Sequence, residues 1–378
     1  MNTFTRARRS SIALALVLAV GFTISACTPP DTPIVDGPET AEPAPTPTPT
    51  IEPASVPLPV LDIECADLAS AATIAGTFPV AVAATDPSNS IMDAYPVIPK
   101  TYHLRSLGGL ACEWNNGESQ SSSTGTNPDY VGVQVLVLPD AETQWAKYED
   151  YYGDSGAIGT YCSPGSSPIT CTTNQLVGTN WVEVSVSAPS SEARAISLSS
   201  EILAAVGSAG PGADAWIVPA DFATLPSECT DIISDADAQA AFALDVPIQA
   251  TPPAGGWSLP SAASQNWGGP YCSWLYLDAD AGVGSLNTLR GGAWAWDEAR
   301  AFITVPSVPE PLAIAGLAAT DEAWIRCAPA DTSCLVDLVI GGNWISVDVW
   351  AEDGYGSPLG VDRRTAAIAL AEAIVATL

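Results

Sequence analysis

The sequence is poor in basic residues and in the side chains that most often bind metals. Only 12 Lys and Arg stand against 42 Asp and Glu, so the 378-residue chain carries a formal charge of -30, and it has one His. A surface this acidic repels nucleic acids and anionic lipids, which excludes polyanion binding as a primary role. A zinc site is disfavoured because no Cys-x-x-Cys pair occurs and His103 stands alone.

Motifs of known catalytic centres are also missing. There is no Gly-rich phosphate loop, no His-Glu-x-x-His helix and no Gly-x-Ser-x-Gly turn. Gly153 to Gly156 reads Gly-Asp-Ser-Gly, as in chymotrypsin-like proteases, but Ala157 replaces the next Gly and His103 lacks its usual neighbours. The stretch from Asp278 to Gly282 lacks two ligands of a calcium loop. We therefore expect no enzyme activity, no catalytic residue, no cofactor and no metal.

The N-terminal 26 residues predict an export signal that ends at a lipidation site. Three Arg precede an apolar run from Ile12 to Phe22, which is too short to cross a bilayer. The following Ile24-Ser-Ala-Cys27 resembles the bacterial lipobox, in which the Cys becomes the first residue and carries diacylglycerol and a further acyl chain such as palmitate. The alternative is an ordinary secretory signal with a chance Cys. The predicted location is the extracytoplasmic face of the cell membrane, with the bilayer as a partner through acylated Cys27.

A Pro- and Thr-rich segment follows the lipidation site. Residues 27–60 include a Pro-Thr run from Pro45 to Thr50, a composition that cannot bury a core. Such chains favour extended polyproline II conformations. This segment is predicted to be a linker between the membrane and the folded part of the chain.

The rest of the chain is an internal duplication. Four Cys recur in the same order at offsets of 160 to 165 residues, and short motifs around them recur as well. The clearest examples are Cys112-Glu-Trp114 with Cys272-Ser-Trp274, and Asn180-Trp181 with Asn343-Trp344. Several collinear matches indicate a duplicated unit. We predict repeat domain 1 at 61–207, a linker at 208–220 and repeat domain 2 at 221–378.

Four Cys in each copy predict two disulfides in each domain. An exported chain is oxidised, and four Cys permit three pairings. The last two Cys of each copy bracket a short Pro-containing loop between strand-like runs, so a bridge across that hairpin is the simplest choice. The predicted bridges are Cys162–Cys171 and Cys327–Cys334 across the hairpins, with Cys65–Cys112 and Cys229–Cys272 as the remaining pairs.

Both copies together predict an α+β fold. Ser70 and Ser234 are placed to cap a first helix, and Gly341-Gly342-Asn343 supplies the positive φ that a hairpin turn needs. Each copy then reads helix, strand, strand, helix, three-strand meander and helix. We expect two homologous domains, each with an antiparallel sheet of about five strands and helices on one face.

Strand alternation separates core residues from candidate ligand-binding residues. In the last strand Ile345, Val347 and Val349 face one side, which we assign to the core, together with Trp114 and Trp274. Eight of the twelve Trp lie in the second copy, and several lie beside glycines. A shallow aromatic groove for a glycan, another small molecule or a protein is the functional hypothesis; the alternative is that these Trp pack one copy on the other or fill a core. The candidate binding residues are Trp257, Trp267, Trp344, Asp348 and Trp350.

The combination of a lipobox, a Pro/Thr linker, a Cys-x-x-Leu/Ile-Ser helix start, a Cys-x-Trp strand and a stapled meander resembles a family of actinobacterial lipoproteins of unknown function. It is also similar to the two-disulfide extracellular sensor domain of mycobacterial serine/threonine kinases. The resemblance covers each copy and implies an α+β fold with a ligand cleft, without assigning functional residues. The predicted function is a non-enzymatic, membrane-anchored lipoprotein with tandem ligand- or partner-binding domains. A structural or protein-interaction component of the envelope is the alternative, and a cell-wall hydrolase is a third.

Overall fold

A computed structural model describes most of the chain after residue 55. The described ranges are 56–85, 97–118, 120–122, 125–153, 157–163, 168–252, 257–277, 282–303, 307–329, 332–350 and 359–378. The predicted leader, Cys27 and most of the linker lie outside these ranges, as do Asp154 to Gly156 and Asp278 to Ala281. No helix among the described residues is long and apolar enough to cross a membrane.

Both copies belong to one compact unit, Pro53–Leu378. In the first copy the strands are β1 (Leu61–Asp62), β2 (Ala83–Thr85), β3 (Leu110–Asn115), β4 (Ser121–Ser122), β5 (Gly125–Thr126), β6 (Gly132–Leu138), β7 (Gly159–Cys162), β8 (Thr170–Val177) and β9 (Asn180–Ser187). The helices are α1 (Ala71–Thr77), α2 (His103–Ser106), α3 (Glu142–Tyr152) and α4 (Glu192–Ser208). Short 3-10 helices span Cys65–Asp67 and Pro99–Tyr102, and the second leads directly into α2.

The second copy repeats this order after β10 (Gly210–Pro211), which pairs back onto β1. Its strands are β11 (Ile248–Thr251), β12 (Tyr271–Tyr276), β13 (Gly282–Leu289), β14 (Glu310–Pro311), β15 (Glu322–Cys327), β16 (Ser333–Ile340) and β17 (Asn343–Trp350). Its helices are α5 (Cys229–Ile232), α6 (Asp235–Ala241), α7 (Leu259–Trp267), α8 (Ala293–Ala299) and α9 (Arg363–Thr377).

Each copy contains one antiparallel sheet, and the two sheets share a topology. The first sheet has the order β2-β3-β6-β9-β8-β7, and the second has the order β11-β12-β13-β17-β16-β15-β14. The predicted α+β class and antiparallel pairing are confirmed, but the sheets have six and seven strands rather than about five. The additional strands are short edge strands: β2 has three residues, and β14 has two, one of them a Pro, which only a sheet edge tolerates.

The inner face of each sheet forms a core with the first and last helices of its copy. Val182, Val184 and Val186 pack there with Ile74 of α1 and Leu198 of α4. The predicted core residues of the second copy, together with Trp114 and Trp274, are all buried. The expectation of helices on one face only is wrong, because residues of α3, α7 and α8 pack in clusters with the outer-face residues Trp181 and Trp344. These helices are short, and their apolar side chains are mainly aromatic or Ala, which gives a weak periodic pattern.

The four predicted disulfides are present, and each of them joins two cysteines of the same copy, so every copy has two. Cys162–Cys171 and Cys327–Cys334 join directly paired residues of neighbouring strands, with Cα–Cα distances of 4.0 and 4.1 Å. The other two bridges, Cys65–Cys112 and Cys229–Cys272, tie the start of each copy to its β3 or β12 strand. The predicted caps are present as well: the Ser70 and Ser234 hydroxyls each accept a bond of 3.1 Å from a backbone N–H at the helix start.

Candidate functional site

The outer faces of the two sheets are directed toward each other, and equivalent helices pack between them. Helix α2 of the first copy contacts α7 of the second, which occupies the same place in the topology. The 3-10 helix before α2 packs on β13 and β17, while α7 packs on β6. Each copy therefore contributes a helix to the outer face of the other.

His103 joins the two copies by hydrogen bonds. Its Nε2 lies 2.8 Å from the carbonyl oxygen of Thr288, so Nε2 carries the proton and donates it. Its Nδ1 then accepts a bond of 2.8 Å from the Ser264 hydroxyl. Burial lowers the pKa of His103 from 6.5 to about 4, so the ring is neutral at pH 7. The single His is thus a structural bridge, and both ring nitrogens are used.

The contact between the copies contains three of the Trp predicted to bind a ligand. Trp344 has no exposed surface and packs against Tyr102 of the first copy at 5.7 Å. Trp267 is 6% exposed and stacks on Trp216 at 5.4 Å. Trp257 donates its indole N–H to the carbonyl of Gln144, across the contact. These three Trp therefore lie where the alternative interpretation of the sequence put them, in the packing of one copy on the other.

Trp350 and Asp348 lie farther along the same strand face. Six residues of strand separate Trp344 from Trp350, or about 20 Å, so these two rings do not share one pocket. Asp348 is partly buried, and burial raises its pKa to about 7, while Arg326 opposes and Asp337 adds to that shift. The structure does not bring the five predicted residues together at one site.

A Trp held by an Asx side chain occurs on the outer face of both copies. Trp181 donates its indole N–H to Asn174, and Trp344 donates its indole N–H to Asp337, both at 3.0 Å. In each case the two residues belong to the last two strands of the meander. This equivalence aligns the two outer faces residue by residue.

In the second copy a buried ion pair closes this face. Arg326 of β15 donates from Nε to the Asp337 carboxylate at 2.9 Å, and both side chains are fully buried. The same guanidinium also donates to the carbonyl of Val97 in the first copy. Directly across from Asp337 on β17 is Ser346, which is neutral.

In the first copy the same positions hold a different set of side chains. Tyr161 replaces Arg326, Asn174 replaces Asp337, and Glu183 replaces Ser346, as the aligned disulfides and Trp residues require. In the second copy the acid of this cross-strand pair is on β16, whereas in the first copy it is on β9, the strand equivalent to β17. The first copy has no Arg at the position of Arg326. Among the residues that the structure describes, no hydrogen bond or ion pair to the Glu183 carboxylate is found, and burial is the cause of its raised pKa.

Aromatic side chains of α3 and β7 lie on the same side of the sheet as this carboxylate. On α3, Tyr148 packs on Trp181 at a centroid distance of 4.7 Å and on Tyr152 at 4.9 Å. Tyr161 is 53% exposed, while Glu183 is partly buried. A Cβ atom added to Gly159, where the second copy has Trp324, would meet none of the described atoms within 4 Å. We call Glu183, Tyr148, Tyr152, Gly159 and Tyr161 the Glu183 site.

The electrostatics of the Glu183 site follow from burial without a counter-charge. Burial raises the pKa of Glu183 from 4.5 to about 7. Burial also raises the pKa of Tyr148 to about 12, and the charges of Glu183 and Tyr152 add to this shift. The site therefore combines a carboxylate and tyrosine rings, and it favours a positively charged group.

Strand alternation is sufficient to place Glu183 on the outer face, but no sequence motif identifies it as a functional residue. The usable signal was the comparison of the two copies at three positions: an acid and an Arg in one copy, and an acid without an Arg in the other. Trp density drew attention to the second copy instead, where the aromatic residues largely fill the contact between copies.

Comparisons with known proteins identify no relative of this chain. No family model matches it, and no curated protein or solved structure matches it either. Within the described ranges, no group of three or more His, Cys, Asp and Glu side chains is arranged to hold a metal ion.

Proposed function

We propose that this protein is a membrane-anchored extracytoplasmic lipoprotein that binds a ligand without catalysis, and that the Glu183 site in the first copy is where it binds. The observation that carries the proposal is the partly buried Glu183 carboxylate, which lacks a counter-charge among the described residues. An ionised carboxylate in such a place is costly unless something pairs with it. At the aligned cross-strand pair of the second copy, the acid Asp337 is paired with Arg326 of the same copy.

Non-catalytic binding suits this geometry better than hydrolysis. Two nearby carboxyl groups are the usual requirement of a glycoside hydrolase. At the Glu183 site the cross-strand neighbour is Asn174, whose oxygen already accepts the Trp181 indole N–H. A single acid with aromatic rings can hold a ligand, but it offers no acid and base pair.

A thermal-shift screen of the mature chain tests the proposal. Glycans, lipids, amino-acid derivatives and divalent ions are the probes, and every compound that raises the melting temperature is tested again on three variants. We expect Glu183→Gln and Tyr161→Ala to abolish the shift, whereas Trp350→Ala leaves it intact. Loss of the shift in Trp350→Ala alone would place binding in the second copy, and the absence of any shift would contradict a binding function.

Anchoring through Cys27 is the second part of the proposal. The lipobox-like junction and the Pro/Thr-rich segment support it, and two acyl chains are sufficient for stable membrane attachment. Mass spectrometry of the protein from membranes should find a mature N-terminus at Cys27 with diacylglycerol attached. A Cys27→Ser variant should stay unprocessed or leave the membrane fraction. An unmodified N-terminus at another residue would contradict anchoring.

A structural role in the envelope is the second candidate function. The observation in its favour is that Trp267, Trp294, Trp296 and Trp344 are buried in one cluster at the contact between the copies. Aromatic residues buried in this way stabilise the contact between the copies.

A further inference from the structure

We infer that the Glu183 site binds a guanidinium group, as carried by an arginine side chain; this inference rests on the proposed function and names its ligand class. The duplication provides an internal comparison. At the aligned position of the second copy, the protein's own Arg326 places a guanidinium on the same sheet face. The first copy keeps the carboxylate and omits the Arg, so a guanidinium from outside would complete the missing pair.

Each copy has one acid in the cross-strand pair that lies next to the aligned Trp on its outer face. In the second copy the acid belongs to β16, at Asp337, and the residue opposite it on β17 is Ser346. In the first copy the acid belongs to β9, at Glu183, and the residue opposite it on β8 is Asn174. Because directly paired side chains on one face lie about 5 Å apart, Glu183 lies one strand spacing farther than Asp337 does from the strand that holds the Arg position. A guanidinium supplied from outside is not tied to that strand, so it can approach the Glu183 carboxylate directly.

The outer face of the first copy is more accessible at this place than the outer face of the second copy. Arg326 and Asp337 are fully buried, and the Arg326 guanidinium also donates to the Val97 carbonyl of the other copy. In the first copy Tyr161 stands 53% exposed at the Arg326 position. The Trp324 position is occupied by Gly159, whose added Cβ would meet no described atom within 4 Å. Among the described residues, the positions of Tyr161 and Gly159 in the first copy are therefore more open than the equivalent positions of Arg326 and Trp324 in the second copy.

The aromatic rings near Glu183 also suit a guanidinium group. A planar guanidinium stacks on aromatic faces and donates two parallel bonds to a carboxylate. Elsewhere in the protein the same pairing recurs, because Arg105 lies over Trp294 at 5.1 Å and Arg300 lies over Trp324 at 5.4 Å. Tyr152, which is partly exposed and packs on the buried Tyr148, supplies a comparable ring near Glu183.

Isothermal titration of the mature chain with blocked arginine tests the inference. Nα-acetyl-arginine amide is the probe, and Nα-acetyl-citrulline amide is its neutral isostere. We expect citrulline to bind at least about tenfold more weakly, since a hydrogen bond to a charged group contributes roughly that factor or more. Glu183→Gln should reduce arginine affinity by a similar factor, and Asp348→Asn, which neutralises another partly buried acid on the outer face of the second copy, should not.

A second variant keeps the test independent of how Glu183→Gln folds. Tyr161→Arg restores the residue of the second copy at an exposed position, so the site would carry its own cation. We expect this variant to lose binding of blocked arginine and to melt about 2 °C or more above wild type at pH 8. In a Glu183→Gln background the same Tyr161→Arg change should give no further gain in melting temperature, because the carboxylate that it would pair with is gone.

Each failure has a separate meaning. If citrulline binds as well as arginine, or a neutral glycan binds in a Glu183-dependent manner while arginine does not, the guanidinium inference is overturned and the binding function stands. If neither probe binds and the thermal-shift screen is also negative, both proposals fail. Titration with short peptides that contain internal arginine then separates a protein partner from a free guanidino compound.

Discussion

At the scale of residues, the two copies share a framework and differ in a few polar side chains. Both keep the disulfides, the inner-face valines or isoleucines and the Trp held by an Asx side chain. They differ at two aligned positions: Tyr161 of the first copy corresponds to Arg326 of the second, and Glu183 corresponds to Ser346. The shared residues stabilise the fold. The differing residues determine whether an acid on the outer face is paired with an Arg of the same copy.

Glu183 should make the protein less stable as the pH rises. The folded pKa of about 7 lies above the ordinary Glu value of 4.5, so the folded state retains the proton to higher pH than the unfolded state does. Its unfavourable contribution is absent below pH 4.5, grows between pH 4.5 and 7, and is complete above pH 7. Glu183→Gln should therefore raise the free energy of unfolding at pH 8 by about 2 kcal/mol, after allowance for partial exposure, and change it little at pH 4.

Urea unfolding from pH 4 to 8 measures this difference. Glu149→Gln, which removes the same charge from an exposed position on α3, is the control and should leave the pH slope unchanged. Equal stability of Glu183→Gln and wild type at every pH would mean that the carboxylate is already paired.

His103 should have the opposite pH dependence. Its folded pKa of about 4 lies below the ordinary His value of 6.5, so its stabilising contribution is present above pH 6.5 and is lost as the pH falls toward 4. Protonation in the unfolded state should remove up to about 3 kcal/mol over that window. His103→Leu, which lacks both bridging hydrogen bonds, should be destabilised by about 2 kcal/mol at pH 7.5, and its deficit should shrink toward pH 4. A constant deficit across this range would contradict the assigned neutral bridge.

At the scale of elements, the strands and disulfides were predictable and the outer-face helices were not. The alternation of Ile345, Val347 and Val349 identified a core face from the sequence alone, because strand geometry gives period-two burial. Spacing of Cys identified the four bridges. The two-residue β14 and the four-residue α2 lack a periodic pattern of useful length, so long-range packing decides them. The Glu183 site was missed for a related reason: its residues come from α3, β7 and β9, and only the fold brings them together.

Helix α7 depends on small residues where it enters the contact between the copies. Ala262 and Ala263 have no exposed surface and pack in the cluster that contains Leu104 and Trp181 of the first copy. Ala263→Leu should overpack this contact and lower the free energy of unfolding by about 1 to 3 kcal/mol. Gln265→Leu, at an exposed position of the same helix, is the matched control for hydrophobicity and helix propensity. Differential scanning calorimetry compares the two, and equal melting temperatures would show that the contact yields easily.

At the scale of the whole molecule, the two copies form one compact unit. The cores on the inner faces belong to single copies, while the two outer clusters draw residues from both. In one outer cluster Tyr102 of the first copy packs on Trp294 and Trp344 of the second. The contact buries large aromatic rings, which is typical of permanent interfaces rather than of mobile tandem domains.

The copies should therefore depend on each other for solubility. Residues 56–213 and 214–378, produced as separate chains, would each expose an outer face with aromatic side chains, and such patches promote aggregation. We expect each half alone to bind a hydrophobic dye and to unfold with low cooperativity, and a mixture of the two to recover a stable one-to-one complex.

A chain with a protease site inserted between Ala213 and Asp214 is the control, because the cut lies in the connection between the copies and the halves start out correctly packed. After cleavage they should elute together on gel filtration, and charge repulsion in so acidic a chain should not separate them at physiological salt, which screens exposed charges beyond about 8 Å. Halves that separate freely, remain monomeric and unfold cooperatively would show that each copy is a complete domain. In that event the burial of Trp344 would be a property of their association, and the outer face of the second copy would again be open to a ligand.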